Sequence, residues 1–295
     1  MRWHTSMAVG LVLSATLSCG APTDQPPVTA DGSPDSPGTS TDGAGSAAGN
    51  TVLVIDDERI AESSGLARSW AHQGVFYTHN DRGSGSTLYA VDRSGTRALF
   101  DVTDAAANDW EDVASTPDRR IWIADTGDRA GTRPSVSVLV LEEPAELVTG
   151  PIASTTYDLI YPDGPHDAEA LLVHPLTFRM YLVTKGRDGG AIYAAPENPS
   201  TSAPNKLERV ADAPPNVTGG DFAADGARFV LRSYGRAFLY SDLATDPVSF
   251  KLPDQPQGES ITFDPSDEGL LIGSEGVGSR VVKVPLPGKK IEVER

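Results

Sequence analysis

Three glutamates carry the first hint of chemistry in this chain. Glu111, Glu169 and Glu259 each stand two residues before an apolar residue, Val113, Leu171 and Ile261, in segments that otherwise read as strands. Glutamate is depleted in strands and has no turn role, so its return at one place in three similar segments asks for a reason. Asp109, His166 and Asp167 lead into these segments, while Asp81, Asp125, Asp128, Tyr234 and Glu275 fall in loops one strand later, with Lys185 and Arg232 in equivalent loops. Carboxylates held at one height repel, and they need a cation, a neighbouring Lys or Arg, or a proton bound at raised pKa. An all-oxygen set suits calcium, so Glu111, Glu169 and Glu259 are the candidate metal ligands. Asp109, Asp125, Asp128, His166, Asp167, Lys185, Arg232 and Glu275 make up the wider candidate binding set. Direct neutralisation of the glutamates by Lys185, Arg187 and Arg232 is the competing expectation. His166 can act as a metal or acid/base group, or stand as a solvated loop histidine.

These residues recur because the chain repeats. Aligning Leu66, Val113, Leu171, Phe222 and Ile261 places Ser64, Glu111, Glu169, Gly220 and Glu259 in register, at intervals of roughly 40–58 residues. Each copy continues with a turn and a second strand, best seen in Ile121-Trp122-Ile123-Ala124, then a third strand, and in most copies a fourth. Four short strands per unit at this spacing predict an all-β fold, a β-propeller of five blades, with six as the alternative. In such a ring the loops before the innermost strand and after the second strand share one face around the central channel, where the polar residues above fall. Residues 51–56 and 289–295 both read as outer strands, and one of them is expected to close the last blade so that no sheet edge stays open. Trp110 and Trp122 read as packing between blades.

Three regions precede or make up this fold. Residues 1–18 read as a signal peptide, with Arg2 ahead of an apolar run, Met7 to Leu17, too short to span a bilayer. Ser18 and Gly20 flank Cys19 as in a lipobox, so Cys19 is the expected lipidation site; the alternative is an ordinary secretory leader with an unmodified cysteine. Residues 19–50 are rich in Pro, Gly, Ser, Thr and Asp without aromatics, and read as a disordered linker. Residues 51–295 are the propeller domain. The single cysteine rules out an intrachain disulfide. A net charge of −17 repels phosphate backbones, which argues against nucleic acid as a partner, and it discourages docking on anionic lipid. Membrane contact is therefore expected through the lipid alone, on the extracytoplasmic side of a bacterial cell membrane. The expected partner is an envelope or extracellular ligand, met by a monomer.

The stretches NDWEDVA (108–114), IADTGD (123–128) with Arg133, YPDGPHDAEALLVHP (161–175) and YLVTKG (181–186) resemble a family of secreted bacterial β-propeller lipoproteins that shows N-D-W-E-D and Y-P-D-G-x-x-D-A-E-A motifs. Arg129 stands where that family usually has Asn. The resemblance implies a propeller outside the cytoplasm rather than a particular activity. The acidic channel mouth is more distantly similar to calcium-dependent lactonase and phytase-type propellers, without their diagnostic motifs. Nucleophile-elbow, zincin, P-loop and EF-hand signatures are missing, and no catalytic residue is assigned. The favoured reading is a binding module with an acidic, calcium-binding face; the alternative is a metal-dependent hydrolase of lactonase or phosphoesterase type using that face. Carboxylates converging on an open coordination position would favour the enzyme, and a broad groove with exposed aromatics the binding module.

Overall fold

Short apolar runs rich in Val, Ile, Leu and Tyr, separated by Gly, Asp and Pro turns, leave the chain one economical way to bury itself: as sheets stacked face to face. The computed structural model describes residues 50–81, 85–103 and 108–288, and among these it contains strands and no α-helix. Cys19, the leader, the linker up to residue 49 and residues 289–295 lie outside the described residues.

The strands form five antiparallel blades. β1 (Thr51–Ile55) opens the chain and waits for the last of them. Blade one is β2 (Ser63–Arg68), β3 (Phe76–Asn80), β4 (Thr87–Asp92) and β5 (Gly95–Thr103). Blade two starts with β6 (Trp110–Thr116), β7 (Arg120–Asp125) and β8 (Val136–Glu142). The chain then runs back as β9 (Gly150–Ala153), parallel to β5 of blade one, before β10 (Thr155–Ile160) completes blade two. Blade three is β11 (Ala168–Val173), β12 (Met180–Thr184), β13 (Gly190–Ala194) and β15 (Glu208–Ala213). On its way to β15 the chain adds β14 (Asn205–Lys206), parallel to β10 of blade two. Blade four is β16 (Val217–Phe222), β17 (Phe229–Ser233), β18 (Arg236–Tyr240) and β19 (Val248–Lys251). Blade five is β20 (Gly258–Phe263), β21 (Gly269–Ser274) and β22 (Ser279–Pro285), with β1 as its outer strand.

The pairing of β1 with β22, Leu53 opposite Val281, closes the ring from the N-terminal side, so 51–55 is the closing strand of the two candidates. Five blades, not six, complete the circle. Their innermost strands β2, β6, β11, β16 and β20 touch in sequence, and β20 returns to β2. The two parallel strands β9 and β14 were not legible in the sequence. They are short, partly exposed edge additions whose pairing rests on backbone bonds rather than on an apolar pattern.

The core is divided among the blade interfaces, one apolar cluster in each. Trp122 packs with Leu171, Leu182 and Tyr193 between blades two and three. Trp110 packs with Tyr77, Leu88 and Ile121 between blades one and two. Leu53 and Ile55 of β1 lie with Leu66, Phe76 and Val281 between blades five and one. Each fully buried side chain of this size contributes about 1.5–3 kcal/mol, so rigidity around the axis comes from every interface at once.

Candidate functional site

Every innermost strand breaks register at the same level. An extra residue bulges at Ser64 in β2, Glu111 in β6, Glu169 in β11, Thr218 in β16 and Glu259 in β20. A bulge leaves one residue out of the ladder and re-aims its side chain, which explains how a glutamate fits a strand that is otherwise buried on both faces. In the fourth copy the structure corrects the sequence alignment. Alignment on Phe222 pairs Gly220 with the glutamates, whereas the bulge falls two residues earlier, on Thr218. Gly220 lies one level deeper, where its N–H donates to Asp112.

Four of these residues, Ser64, Glu111, Glu169 and Glu259, line a cavity of about 380 Å³ at one mouth of the channel, and Thr218 does not reach it. Asp81, Asp109, Glu111, Asp167, Glu169, Glu259 and Glu275 line it, against two cations, Arg129 and Lys185, with Ser64, Gln257 and Tyr234 filling the wall. Lys185 Nζ sits 2.8 Å from Glu169 Oε2 and 5.4 Å from the Tyr234 ring. Two sets of three carboxylates offer oxygens within 4.8 Å of one another: Asp81 with Asp109 and Glu111, and Glu111 with Asp167 and Glu169. Glu259 belongs to neither set, so the expected trio of glutamates is not itself the tightest grouping.

Burial raises the pKa of Glu111 far above the ordinary carboxylate range, with Glu169, Asp81, Asp109 and Asp167 adding repulsion. Burial also raises Glu169, and Lys185 partly offsets it. Glu259 is pushed up to about 7 by burial, again against the pull of Lys185. Burial alone would lower Lys185, but the attraction and hydrogen bond of Glu169 prevail and its pKa rises. Glu111 and Glu259 are only 7% and 6% exposed, and neither carboxylate takes a hydrogen bond or ion pair from the described residues. The missing Cβ of Gly127 makes room for this crowding. A Cβ there would lie 2.1 Å from Glu111 Oε1 and 2.6 Å from the Asp109 carboxylate.

Four of the residues singled out in the sequence do other work. Asp125 accepts from the Asn108 side chain and the Asp109 N–H and pairs with Arg133 at 3.0 Å, which fixes the loop leading into β6. Asp128 accepts from the N–H groups of Thr132 and Arg133, closing its own turn. His166 stands apart with Asp163, 3.0 Å away, and the Tyr193 hydroxyl, 3.1 Å away. Arg232 does not pair with a glutamate. Its guanidinium donates at 2.7 Å to the carbonyl oxygens of Ser260 and Gly273 and to Gln255 Oε1, and at 3.2 Å to Tyr234 O. Burial lowers its pKa to about 10, with Glu259 opposing. The direct-neutralisation expectation therefore holds for Lys185 alone.

Below the mouth lies a residue that sequence reasoning missed. Asp112, next to Glu111 but turned the other way, is wholly buried and accepts from the N–H groups of Val113, Leu171 and Gly220. Burial pushes its pKa well up, against the pull of these three bonds. It pins blades two, three and four at the axis. Asp221 does the same between blades four and five, accepting from Thr262 Oγ1 and the Phe263 N–H, with its pKa raised by burial to about 6.

Fold and site together define a five-bladed β-propeller with an acidic channel mouth able to hold a metal ion. No protein-family model matches the chain, and no curated protein matches it. Among solved structures, the chain is similar to a chain of a nidogen/laminin complex at 14% identity and a TM-score of 0.47, over 72% of this chain and 73% of that one. A gluconolactonase from Xanthomonas campestris is similar at 14% identity and a TM-score of 0.46, over 80% and 88%. A soluble aldose sugar dehydrogenase from Escherichia coli is similar at 13% identity and a TM-score of 0.47, over 79% and 99%. At these identities the likeness is one of fold, and no residue role passes from those proteins to this one.

Proposed function

We propose that this protein is a lipid-anchored, extracytoplasmic propeller whose channel mouth binds a divalent cation, calcium in the first instance, and hydrolyses a small oxygen-rich substrate there. The observation that carries the cation is Glu111, more than nine-tenths buried, lining the cavity among other carboxylates and taking no hydrogen bond or ion pair from the described residues. An ionised carboxylate so placed is strongly disfavoured, so it must either hold a proton or meet a cation. The donor set fits a hard ion. It is all oxygen, without His or Cys among the grouped residues, and it offers several carboxylates at flexible geometry.

Of the two functional readings, hydrolysis is favoured by the shape of the site. The carboxylates converge in a cavity of about 380 Å³, and Tyr234 is the one aromatic side chain lining it among the described residues, where a recognition face would carry a broad groove of aromatics. A bound cation supplies polarisation of a carbonyl or phosphoryl oxygen. The chain supplies the rest. Glu111 with Asp167 and Glu169, or with Asp81 and Asp109, would hold the ion, and Lys185 fixes the Glu169 carboxylate. Glu259 lies in the same cavity outside both carboxylate sets, with a pKa near 7 that suits it to take up or release a proton at neutral pH. The test is a screen of lactones and phosphoesters with calcium and with chelator. Turnover that chelator stops and Glu259→Gln reduces at least tenfold is expected. Calcium binding without turnover on any of them would return the protein to the binding-module reading, and no calcium binding would overturn the site.

A further inference from the structure

We propose that two buried hydroxyls, Ser64 and Thr126, are positioning residues of the cation site: each braces the backbone of the next blade and so sets where Glu111 and Glu169 aim their carboxylates. This rests on the cation reading above and deepens it. Ser64 of β2 donates from Oγ to the Glu111 carbonyl at 2.6 Å, across the seam between blades one and two. Thr126, just after β7, donates from Oγ1 to the Ala168 carbonyl at 2.7 Å, across the seam between blades two and three. The Ala168 N–H returns a bond to the Thr126 carbonyl. Ala168 separates Asp167 from Glu169, so this brace sits between two of the grouped carboxylates. A third hydroxyl repeats the plan between blades four and five, where Thr218 of β16 donates from Oγ1 to the Glu259 carbonyl at 3.0 Å.

The bonds fall where the innermost strands break register. A bulge leaves one residue out of the ladder, and Glu111, Glu169 and Glu259 are such residues. At Glu111 and Glu259 the braced carbonyl belongs to the bulged residue itself; at Glu169 it belongs to the residue before, where the ladder stops. A buried carbonyl without a donor is costly, so a bulge that loses its brace is drawn back toward the regular ladder. One residue of slip turns a strand side chain to the opposite face, and the carboxylate would leave the cavity. Ser64, Thr126 and Thr218 are 4%, 0% and 1% exposed, so each carbonyl depends on its hydroxyl rather than on bulk water. Ser64 also lines the cavity, whereas Thr126 and Thr218 do not. An effect of Thr126 on the ion must therefore pass through the backbone it holds. Thr218 braces a glutamate outside both carboxylate sets, which makes it a matched control with the same kind of bond and the same burial.

The experiment is calorimetric titration of the full chain with calcium, well below the melting temperature. Thr126→Val and Ser64→Ala should each weaken binding about tenfold, which is about 1.4 kcal/mol. Thr126→Ser keeps the donor and should stay within twofold of the parent, as should Thr218→Val. Melting in chelator reads the structural cost separately. Thr126→Val and Thr218→Val should lose similar stability there, because each strands one buried carbonyl. Should Thr126→Val fail to fold, Ser64→Ala decides against the Thr218→Val control. A folded Thr126→Val that binds calcium as the parent does would overturn the positioning role and leave the cation site standing. A Thr218→Val that weakens calcium as much as Thr126→Val would overturn it too, since the effect would then be a general loosening. A parent chain that binds no calcium would overturn the cation site and the positioning role with it.

Discussion

A Cβ placed on Gly127 would lie 2.1 Å from Oε1 of Glu111, closer than any side chain tolerates. The atom it meets is the far end of a flexible side chain, so the strain is relieved by pushing the carboxylate aside. Gly127 is not at a positive φ, so the backbone accepts alanine, which by itself adds about 0.4–1 kcal/mol through the unfolded chain. Gly127→Ala is therefore expected to lower calcium affinity at least tenfold, about 1.4 kcal/mol, with less than about 1 kcal/mol change in cation-free stability. Calorimetry and urea denaturation read the two effects separately. Unchanged affinity would remove Glu111 from the ion site.

Calcium itself should stabilise the fold. Binding to the folded state alone contributes about 2.7 kcal/mol at a hundredfold excess over the dissociation constant. For a domain of this length the melting temperature rises by roughly 5–11 °C, and chelator reverses the rise. A melting curve indifferent to millimolar calcium would count against the site.

Arg232 is expected to matter to stability and not to the ion. Replacing it with Met strands the carbonyls of Ser260 and Gly273 below the mouth and should cost about 3–5 kcal/mol. Lys in its place should not restore the loss, because the three carbonyls and Gln255 are reached by a planar fork. Thermal denaturation of both variants checks this, and a melting temperature within 2 °C of the parent would show that the fork is dispensable.

The blade plan was legible because the repeat and the apolar alternation are local signals. Val136–Glu142 stands as a strand in the chain as it does in the fold. The height of Glu111, Glu169 and Glu259 was legible too, since three glutamates in strands are unusual enough to align. Register in the fourth copy was not. Thr218 carries no unusual chemistry, and a bulge changes the count by one residue without leaving a mark in composition. Asp112 was hidden for a similar reason: an aspartate beside two other acids reads as one more surface charge until three N–H groups from different blades are seen to meet it. Asp125, Asp128 and Arg232 have residue types that suit a site but spend their polar atoms on the scaffold, a distinction that only partners reveal.

The closing strand gives a direct test of the ring. Leu53 and Ile55 are buried at the seam between blades five and one. Leu53→Ala should cost about 2–5 kcal/mol, and removal of 51–55 should abolish cooperative unfolding. Removal of 20–48, which the sequence reads as linker, should leave the melting temperature unchanged. A cooperative, undiminished transition without 51–55 would place closure elsewhere.

The proposed anchoring rests on one residue. Cys19→Ala is expected to move the exported protein from the membrane fraction to the soluble fraction, since a lipid on that sulfur is the proposed hold on the bilayer. Continued sedimentation of the variant with membranes would reject the lipoprotein reading.

The pH dependence of stability should disappear with calcium. Without the ion, burial raises Glu259 from 4.5 to about 7, and Glu111 and Glu169 shift in the same direction. A group whose pKa is raised on folding stabilises fully below its unfolded value and loses that contribution as pH climbs through the folded one. For Glu259 the window runs from about pH 4.5 to 7 and is on the order of 3 kcal/mol. Lys185 and Glu169 face Glu259 across the cavity together with Glu275, so the loss is shared among coupled groups rather than carried by one. In chelator, the melting temperature should therefore fall steadily from pH 5 to pH 8. In saturating calcium the ion replaces the protons, the carboxylates stay ionised, and the fall should vanish, so that the gap between the two curves widens with pH. Glu259→Gln should shallow the chelator curve, because a neutral amide has no proton to lose. Two parallel curves, or a chelator curve that rises over this range, would show that the mouth is neutralised by something other than protons and cations.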